Sequence, residues 1–410
     1  MTETKKWSLK DWLLPMMNRN FILIILIQTA HGLTSEMIKI PVSPLAKSLG
    51  ISAFVIGICA SLYTGTTILA RPFAGYGMDK LNKKTVIIGA FVLKMIVSVM
   101  YAFTGNVYMY ALCRGIHGFT FALLGTALPA AITAAVDKKS MGMALGIFLA
   151  FPKFVSSWGA KISMTLYSTY SFRTAYLSVV LVLLIPILLT LFVKFDEGKE
   201  IKIKKKKSIN IFSGISLKAM PLCVLSFFIM IGYYANNIYR VVFMEERGID
   251  IATAIAIAGM LSTITRLLGG FIADRFGAKW VVAPSFAMCA VAEFLLIGCN
   301  SFSVCVVSCV LWALGIGMYL PALQSQVFNS VPSSERGAAS ATWFMCMDLT
   351  GFVCSPILGL ICDHISYAAC FAFSGVCVAA GLVYYLTYGQ HVIKKALARS
   401  EEEQAARGEN

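Results

Sequence analysis

The sequence predicts an all-α integral membrane protein of about twelve transmembrane helices in two pseudo-symmetric six-helix bundles, and three observations predict it. Of its 410 residues, 58% are apolar and only 13% charged, far below the roughly 25% charged content of an average soluble domain. The apolar residues fall in runs of about 20 to 25, the length a helix needs to cross a hydrocarbon layer about 30 Å thick. The second half of the chain also repeats patterns of the first.

Taken in order, the runs place six spans at 20–40, 52–76, 85–103, 107–135, 141–165 and 172–193. Six more follow at 219–243, 251–273, 280–299, 302–328, 338–362 and 367–388. The chain then reads as a tail (1–19), a first bundle (20–193), a basic linker (194–218), a second bundle (219–388) and a second tail (389–410). Lys5, Lys6, Lys10 and Arg19 precede the first apolar run, as they would in a cleaved signal peptide. That run carries Gln28, His31 and Glu36, however, and its removal would leave an odd number of helices, so it is read as a span.

A formal net charge of +15 in a soluble protein would suggest nucleic acid, but here the basic residues gather in alternate loops. With the N-terminus inside, Lys80, Lys83, Lys84, Lys138, Lys139, the Lys204 to Lys207 run, Arg275, Lys279, Arg336, Lys394 and Lys395 share one side. Lys47 and Arg247 are the clear basic residues of the opposite loops, and Lys39, Arg173 and Arg240 lie near helix ends on that side. The expectation is a multi-pass protein of the cell membrane, inner or plasma, with both termini cytoplasmic and no nucleic-acid partner. Membrane lipids are its expected surroundings, the linker lysines marking orientation beside an anionic leaflet. The 12 cysteines have neither metal-ligand nor disulfide-scaffold spacing, so buried thiols are expected and no metal or cofactor.

The repeat is visible at residue level. The second span ends Arg71-Pro72-Phe73-Ala74-Gly75-Tyr76-Gly77-Met78-Asp79-Lys80, and the eighth ends Arg266-Leu267-Leu268-Gly269-Gly270-Phe271-Ile272-Ala273-Asp274-Arg275, offset by 195 positions. Gly125-Thr126-Ala127-Leu128-Pro129-Ala130 and Gly317-Met318-Tyr319-Leu320-Pro321-Ala322 match at an offset of 192. With these motifs the sequence resembles the major facilitator superfamily, whose loop between the second and third helices carries Gly-x-x-x-Asp-Arg-x-Gly-Arg-Lys and recurs after the eighth. Arg114-Gly115-Ile116-His117-Gly118 is similar to its Arg-x-x-x-Gly pattern on the fourth helix, and Ser334-Glu335-Arg336-Gly337 to its loop before the eleventh. Lys80 and Asn82 depart from the first motif.

The resemblance implies a twelve-helix secondary transporter that alternates between inward-open and outward-open states; a monomer is expected, and no enzymatic activity, since no nucleophile with a base, metal ligand set or cofactor loop emerges from the sequence. It also implies a conformational latch made of Arg71, Gly75, Asp79, Lys80, Arg266, Gly270, Asp274 and Arg275. Gly75 and Gly270 are expected to let neighbouring helices approach closely.

Ionisable residues inside a span are presumed to face protein or a water-filled cavity. Arg71 lies about 12 Å in from Asp79, and Asp348 about 16 Å in from Gly337. The second and eleventh helices are neighbours in the family, so these two are expected either to pair or to find separate partners. The first, fourth and fifth helices line its cavity. Arg114, Lys153 and Lys161 would therefore give the first half a positive bias, offset mainly by Glu36, which suits a small anionic solute such as a carboxylate. A structural pair between Lys153 and a neighbouring carboxylate is the duller alternative.

Gln28, Trp158, Tyr233, Asn236 and Asn237 complete the candidate solute-binding set, the last three within a polar aromatic patch that runs to Tyr239 and Arg240. Tyr319, Gln324 and Trp343 are weaker candidates. His31, Glu36, His117 and Asp348 are the candidates for carrying a coupled proton. Lys94 and Glu293 fall on helices that are peripheral in the family, where supporting ion pairs are expected. The fifth helix reads Ala150-Phe151-Pro152-Lys153-Phe154, which departs from the family's antiporter motif and leaves the direction of transport open. The alternatives are an exporter of amphipathic drugs and a non-transporting sensor.

Overall fold

The computed structural model describes residues 17–80, 82–136, 141–194, 216–331, 336–391 and 398. Among them are twelve long helices and no strand: α1 (Arg19–Lys39), α2 (Ala53–Lys80), α3 (Lys83–Ala102), α4 (Val107–Ala135), α5 (Met141–Thr169), α6 (Phe172–Phe192), α7 (Met220–Ile238), α8 (Ile251–Phe276), α9 (Lys279–Ile297), α10 (Phe302–Asn329), α11 (Arg336–His364) and α12 (Tyr367–Tyr384). Eleven of these helices contain, among the described residues, a stretch long and apolar enough to cross a membrane. Helix α5, 29 residues long, carries Lys153 and Lys161 within it. The expected linker run Lys204 to Lys207, and most of both tails, fall outside the described residues.

Helix starts follow from short polar residues in the loops. The Asn18 and Asn106 side chains accept the backbone N–H groups of Phe21 at 2.8 Å and Met109 at 2.9 Å. Ser171, Ser301 and Ser366 do the same for Thr174, Val304 and Ala369. Such caps satisfy donors that a helix cannot satisfy itself, each worth about 1 kcal/mol.

The single span expected at 219–243 is in fact broken after Ile238, and a short helix Arg240–Glu246 continues from the break. Tyr239 stands between the two segments with φ −109° and ψ −21°. Its hydroxyl is shared between the carbonyls of Ala53 at 3.1 Å and Ser355 at 2.9 Å, so a tertiary bond holds the break. The last span also differs from expectation, ending in a π-helical turn over Tyr385–Gly389.

The described chain groups into two compact units. In the first, α1 packs against α5 and α6, and α3 packs against α4 and α6. Small residues set the spacing, as they do between helices in lipid: a Cβ at Gly159 on α5 would lie 2.6 Å from the Leu33 carbonyl oxygen of α1. The second unit pairs α8 and α9 with α10, and α7 with α11 and α12, around Leu222, Phe286, Trp312, Tyr319 and Trp343.

The second unit also takes in Val42–Gly65, the first part of α2 with a short helix before it. Ser61 Oγ donates to the Phe352 carbonyl at 2.6 Å, and a Cβ at Gly359 would lie 2.7 Å from Phe54 Cα. This arrangement exposes a third repeat. The short helix Val42–Ser48 ends at Gly50 (φ 72°), and the short helix Arg240–Glu246 ends at Gly248 (φ 67°), 198 positions on. In each the residue after the glycine bonds back to the carbonyl five positions earlier, Ile51 to Ala46 at 3.1 Å and Ile249 to Met244 at 2.9 Å. Only glycine adopts that left-handed turn without strain. Lys47 of one short helix forms an ion pair with Glu246 of the other.

One expectation about the latch is corrected. Among the described residues nothing lies within 4 Å of a Cβ built at Gly270, whereas one at Gly269 would sit 2.6 Å from Met318 Cα. A step of one residue turns about a quarter of the way round a helix, so Gly269 faces α10 and Gly270 does not. Gly75, Asp79, Lys80 and Asp274 lie on helical backbone, but their surroundings fall outside what is described.

Candidate functional site

Helix α1 carries the chemistry of the first unit on two of its faces. His31, Thr34 and Ser35 recur at helical spacing and meet Lys94 of α3. Glu36, the next residue, turns instead toward α5 and accepts a hydrogen bond from Lys153 Nζ at 2.7 Å. The Lys153 side chain keeps 37% of its surface exposed and Glu36 keeps 17%, so the pair is half-buried and reachable. Lys39 Nζ stands 4.0 Å from the other Glu36 oxygen. Gly159 brings α1 and α5 together one turn and a half from Lys153, and Ser163 ties them again by donating to the Met37 carbonyl at 2.7 Å.

The duller alternative for Lys153 is thus the observed geometry: its charge is matched by Glu36, the carboxylate already set against the positive bias of the first half. Arg114 (9% exposed) and His117 (5%) are buried on α4 and are electrostatic neighbours of each other. The Tyr101 ring meets His117 edge-on at 6.0 Å and stacks on Tyr176 at 5.1 Å. Gln28 and Lys161 are partly buried, and Trp158 is exposed.

Lys94 departs from expectation. It is 2% exposed and has no carboxylate in contact among the described residues. Its Nζ lies 2.8 Å from Ser35 Oγ, 3.0 Å from Thr34 Oγ1, and 3.2 Å from both His31 Nδ1 and the His31 carbonyl oxygen. Neutral oxygens and a ring nitrogen of the adjacent helix stand where an ion pair was expected. Glu293 on α9 is the counterpart in the second unit: wholly buried, it accepts hydrogen bonds from Asn236 and, at 2.7 Å, from Ser374. The Arg240 guanidinium is its electrostatic neighbour without a direct bond.

Asn236 therefore turns out of the aromatic patch, 3% exposed, to serve Glu293. Asn237 donates to the Tyr233 carbonyl at 2.6 Å, and the Tyr233 and Tyr234 rings meet edge-on at 5.5 Å. Tyr319 and Trp343 are core residues of the second unit, and Gln324 is partly buried. Of the remaining candidates, Arg71 falls in the first unit and Asp348 in the second, both partly buried. Arg266 is partly buried, while Arg275 is exposed and lies 5.7 Å from the Phe276 ring. Among the described residues no cluster of His, Cys, Asp or Glu is placed to hold a metal.

Sequence reasoning passed over the Lys94 cluster, although its signal is present: a lysine inside one span and hydroxyls three and four residues after a histidine inside another. The arrangement can do two things chemically. The half-buried ion pair can exchange partners with an incoming charge, and the Lys94 cluster can hold a charge away from water.

Comparison with known proteins agrees with this architecture. The family model described as Major Facilitator Superfamily matches residues 24–275 and 222–408. The chain is similar to the uncharacterized MFS-type transporter YhhS of Escherichia coli (strain K12), 25% identical over 315 residues that cover 74% of this chain and 75% of that protein. It is also similar to the multidrug resistance protein MdtG of Proteus mirabilis (strain HI4320), 24% identical over 231 residues, or 54% of this chain and 56% of that one. Among solved structures, a D-xylose-proton symporter superposes with a TM-score of 0.71 at 16% identity, covering 90% of this chain and 97% of that chain.

Proposed function

The chain belongs to the Major Facilitator Superfamily of membrane transporters rather than to any class of enzymes, and on that premise we propose that it moves a small organic anion, such as a carboxylate, together with protons. Two repeats, 20–193 and 219–388, rock about a central solute path and open it to each side of the membrane in turn. Both termini lie in the cytoplasm, where the basic loops face the anionic leaflet of the inner or plasma membrane. The protein works as a monomer surrounded by lipid.

The observation that carries the reading is the Glu36–Lys153 pair. A lysine on the fifth helix, still 37% exposed while paired, offers its charge to an anion that can displace or outcompete Glu36. Arg114 and Lys161 add positive potential on the fourth and fifth helices, and a carboxylate solute is attracted to that field. His31, Glu36, His117 and Asp348 remain the proton-coupling candidates, with Gln28, Trp158, Tyr233 and Asn237 as polar or aromatic handles. The Arg71, Asp79, Lys80, Arg266, Asp274 and Arg275 set serves as the latch between states. The fold likeness to a proton symporter is consistent with proton coupling.

A second reading, a proton-coupled exporter of drugs, is favoured by the similarity to MdtG. A panel of small carboxylates and cationic drugs offered to proteoliposomes, with and without an imposed pH gradient, separates the two. Carboxylate flux that follows the gradient supports the anion carrier. Drug flux alone transfers the assignment to the exporter, and saturable binding without flux points to a sensor.

A further inference from the structure

Lys94 is a buried charge to which the transport cycle above gives no task, and the hydrogens around it can be counted. The Thr34 hydroxyl is committed to carbonyls, 2.8 Å from that of Ala30 and 3.0 Å from that of His31. The Ser35 hydroxyl is committed likewise, 2.7 Å from the His31 carbonyl. Both hydroxyls therefore present lone pairs to Lys94 Nζ, and each takes one N–H from it. The third position on Nζ faces both His31 Nδ1 and the His31 carbonyl oxygen, each at 3.2 Å, and since that oxygen is already reached by the Thr34 and Ser35 hydroxyls, Nδ1 is the partner left for it. An ammonium fills that position with an N–H donated to a bare Nδ1. A neutral amine fills it with a lone pair that accepts an N–H from a protonated Nδ1. In both states Nζ keeps its contacts with Thr34, Ser35 and His31 Nδ1, so these side chains do not have to move when the charge changes.

We propose that Lys94 and His31 together form a proton-loading site, in which His31 relays the proton between the lysine and water. The inference rests on the proton-coupled reading above and names where the proton sits. Unloading begins with an ammonium and an imidazole protonated on Nε2. The Nζ–H bond facing the ring breaks and an Nδ1–H bond forms, while the Nε2–H bond breaks and its proton passes to a water molecule. The products are a neutral amine, the other neutral tautomer of the imidazole and one hydronium ion, and the cluster has changed by one unit of charge. Loading is the reverse.

The charged and titratable groups around the cluster come from every helix packed on it. Glu36 on α1 and His117 on α4 are its direct electrostatic neighbours; Lys39 on α1 and Lys153 on α5 act on Glu36, Arg114 on α4 acts on His117, and Tyr101 on α3, stacked on Tyr176 of α6, meets the His117 ring. Glu36 is the one carboxylate among them and an electrostatic neighbour of Lys94. Loading the site changes the field at Glu36, and with it the hold of Glu36 on Lys153. Proton occupancy is thereby tied to the cation that a solute anion would meet.

The test reads the imidazole directly. The full chain, labelled with ring nitrogen-15 histidine and placed in lipid nanodiscs, gives signals from its 4 histidines, and His31→Gln assigns the one from His31. The proposal expects the His31 signal to pass from the Nε2–H to the Nδ1–H tautomer as pH is raised from about 5 to about 9. Lys94→Arg, whose guanidinium does not give up its proton, holds Nδ1 bare throughout, and Lys94→Met abolishes the exchange without introducing a larger side chain. One tautomer across the whole range in the unaltered protein, or an exchange that survives in both variants, overturns the proposal. If instead the exchange is seen while solute flux ignores a pH gradient, the proton-coupled reading fails and the proton site stands.

Discussion

The Asp363 carboxylate, at the end of α11, accepts the backbone N–H groups of both Ala53 and Phe54, each at 2.8 Å. It caps α2 from another helix, beside Ser52 of the loop, whose Oγ accepts the Val55 N–H at 3.4 Å. Replacing it with alanine leaves two donors at the start of α2 unsatisfied, a loss of about 1 to 3 kcal/mol. Hydrogen exchange at residues 53–56 is expected to speed up in Asp363→Ala and to change less in Asp363→Asn, which keeps one acceptor. Equal protection in Asp363→Ala and the unaltered protein would show that the cap contributes nothing.

The close approach at Gly159 gives a second prediction. Its Cβ would meet the Leu33 carbonyl at 2.6 Å, and backbone cannot give way as a flexible side chain can. Gly159→Ala is expected to push α5 away from α1, strain the Glu36–Lys153 bond and cost about 1 to 3 kcal/mol. Thermal unfolding in detergent measures it against Gly89→Ala, a helical site with nothing within 4 Å of the new methyl group. The control should hold or gain up to about 1 kcal/mol from helix propensity. Similar melting temperatures for the two variants would count against the packing argument.

Much of this was legible in the sequence, and the exceptions have a common cause. Hydropathy located the twelve helices because lipid demands long apolar runs whatever the helices pack against. It could not locate the break at Tyr239, since 219–243 is one apolar run and the break is held by a hydroxyl bonded to carbonyls far away in sequence. The clustering of Val42–Gly65 with the second unit was invisible for the same reason. Glu36 and Lys153 were both singled out, and a pair between Lys153 and some neighbouring carboxylate was an alternative, but nothing in the sequence named Glu36 as that partner. Lys94 and Glu293 were assigned ion pairs because a sequence displays formal charges, whereas the groups that satisfy them are neutral: hydroxyls, a carbonyl, an amide and an imidazole.

Glu293 supplies a third prediction. Its two donors have second acceptors, Asn236 at the Gly232 carbonyl and Ser374 at the Phe371 carbonyl. Glu293→Gln keeps the shape and an acceptor oxygen, so it should fold with a loss of no more than about 1 kcal/mol. Glu293→Lys puts an unmatched cation beside Arg240 and should abolish folded protein. Size-exclusion profiles and melting curves read both, and a well-folded Glu293→Lys would contradict the full burial of this side chain between Asn236 and Ser374.

Glu245, in the short helix after the seventh span, predicts a pH dependence. Burial raises its carboxyl to about 7 from 4.5, against the opposing pull of Lys47. The folded chain therefore holds a proton there that the unfolded chain releases near 4.5, so folding stability falls as pH rises from about 4.5 to about 7 and then levels off. Glu245→Gln should remove that slope. Melting temperatures of the two proteins that run parallel between those pH values would refute it.

The central claim is that a solute anion meets Lys153, and the most direct measurement is carboxylate flux in proteoliposomes carrying Lys153→Glu beside those carrying the unaltered protein. With the charge reversed, the account predicts carboxylate flux at the level of protein-free vesicles in a protein that still folds. Carboxylate flux through Lys153→Glu at the unaltered rate would contradict it.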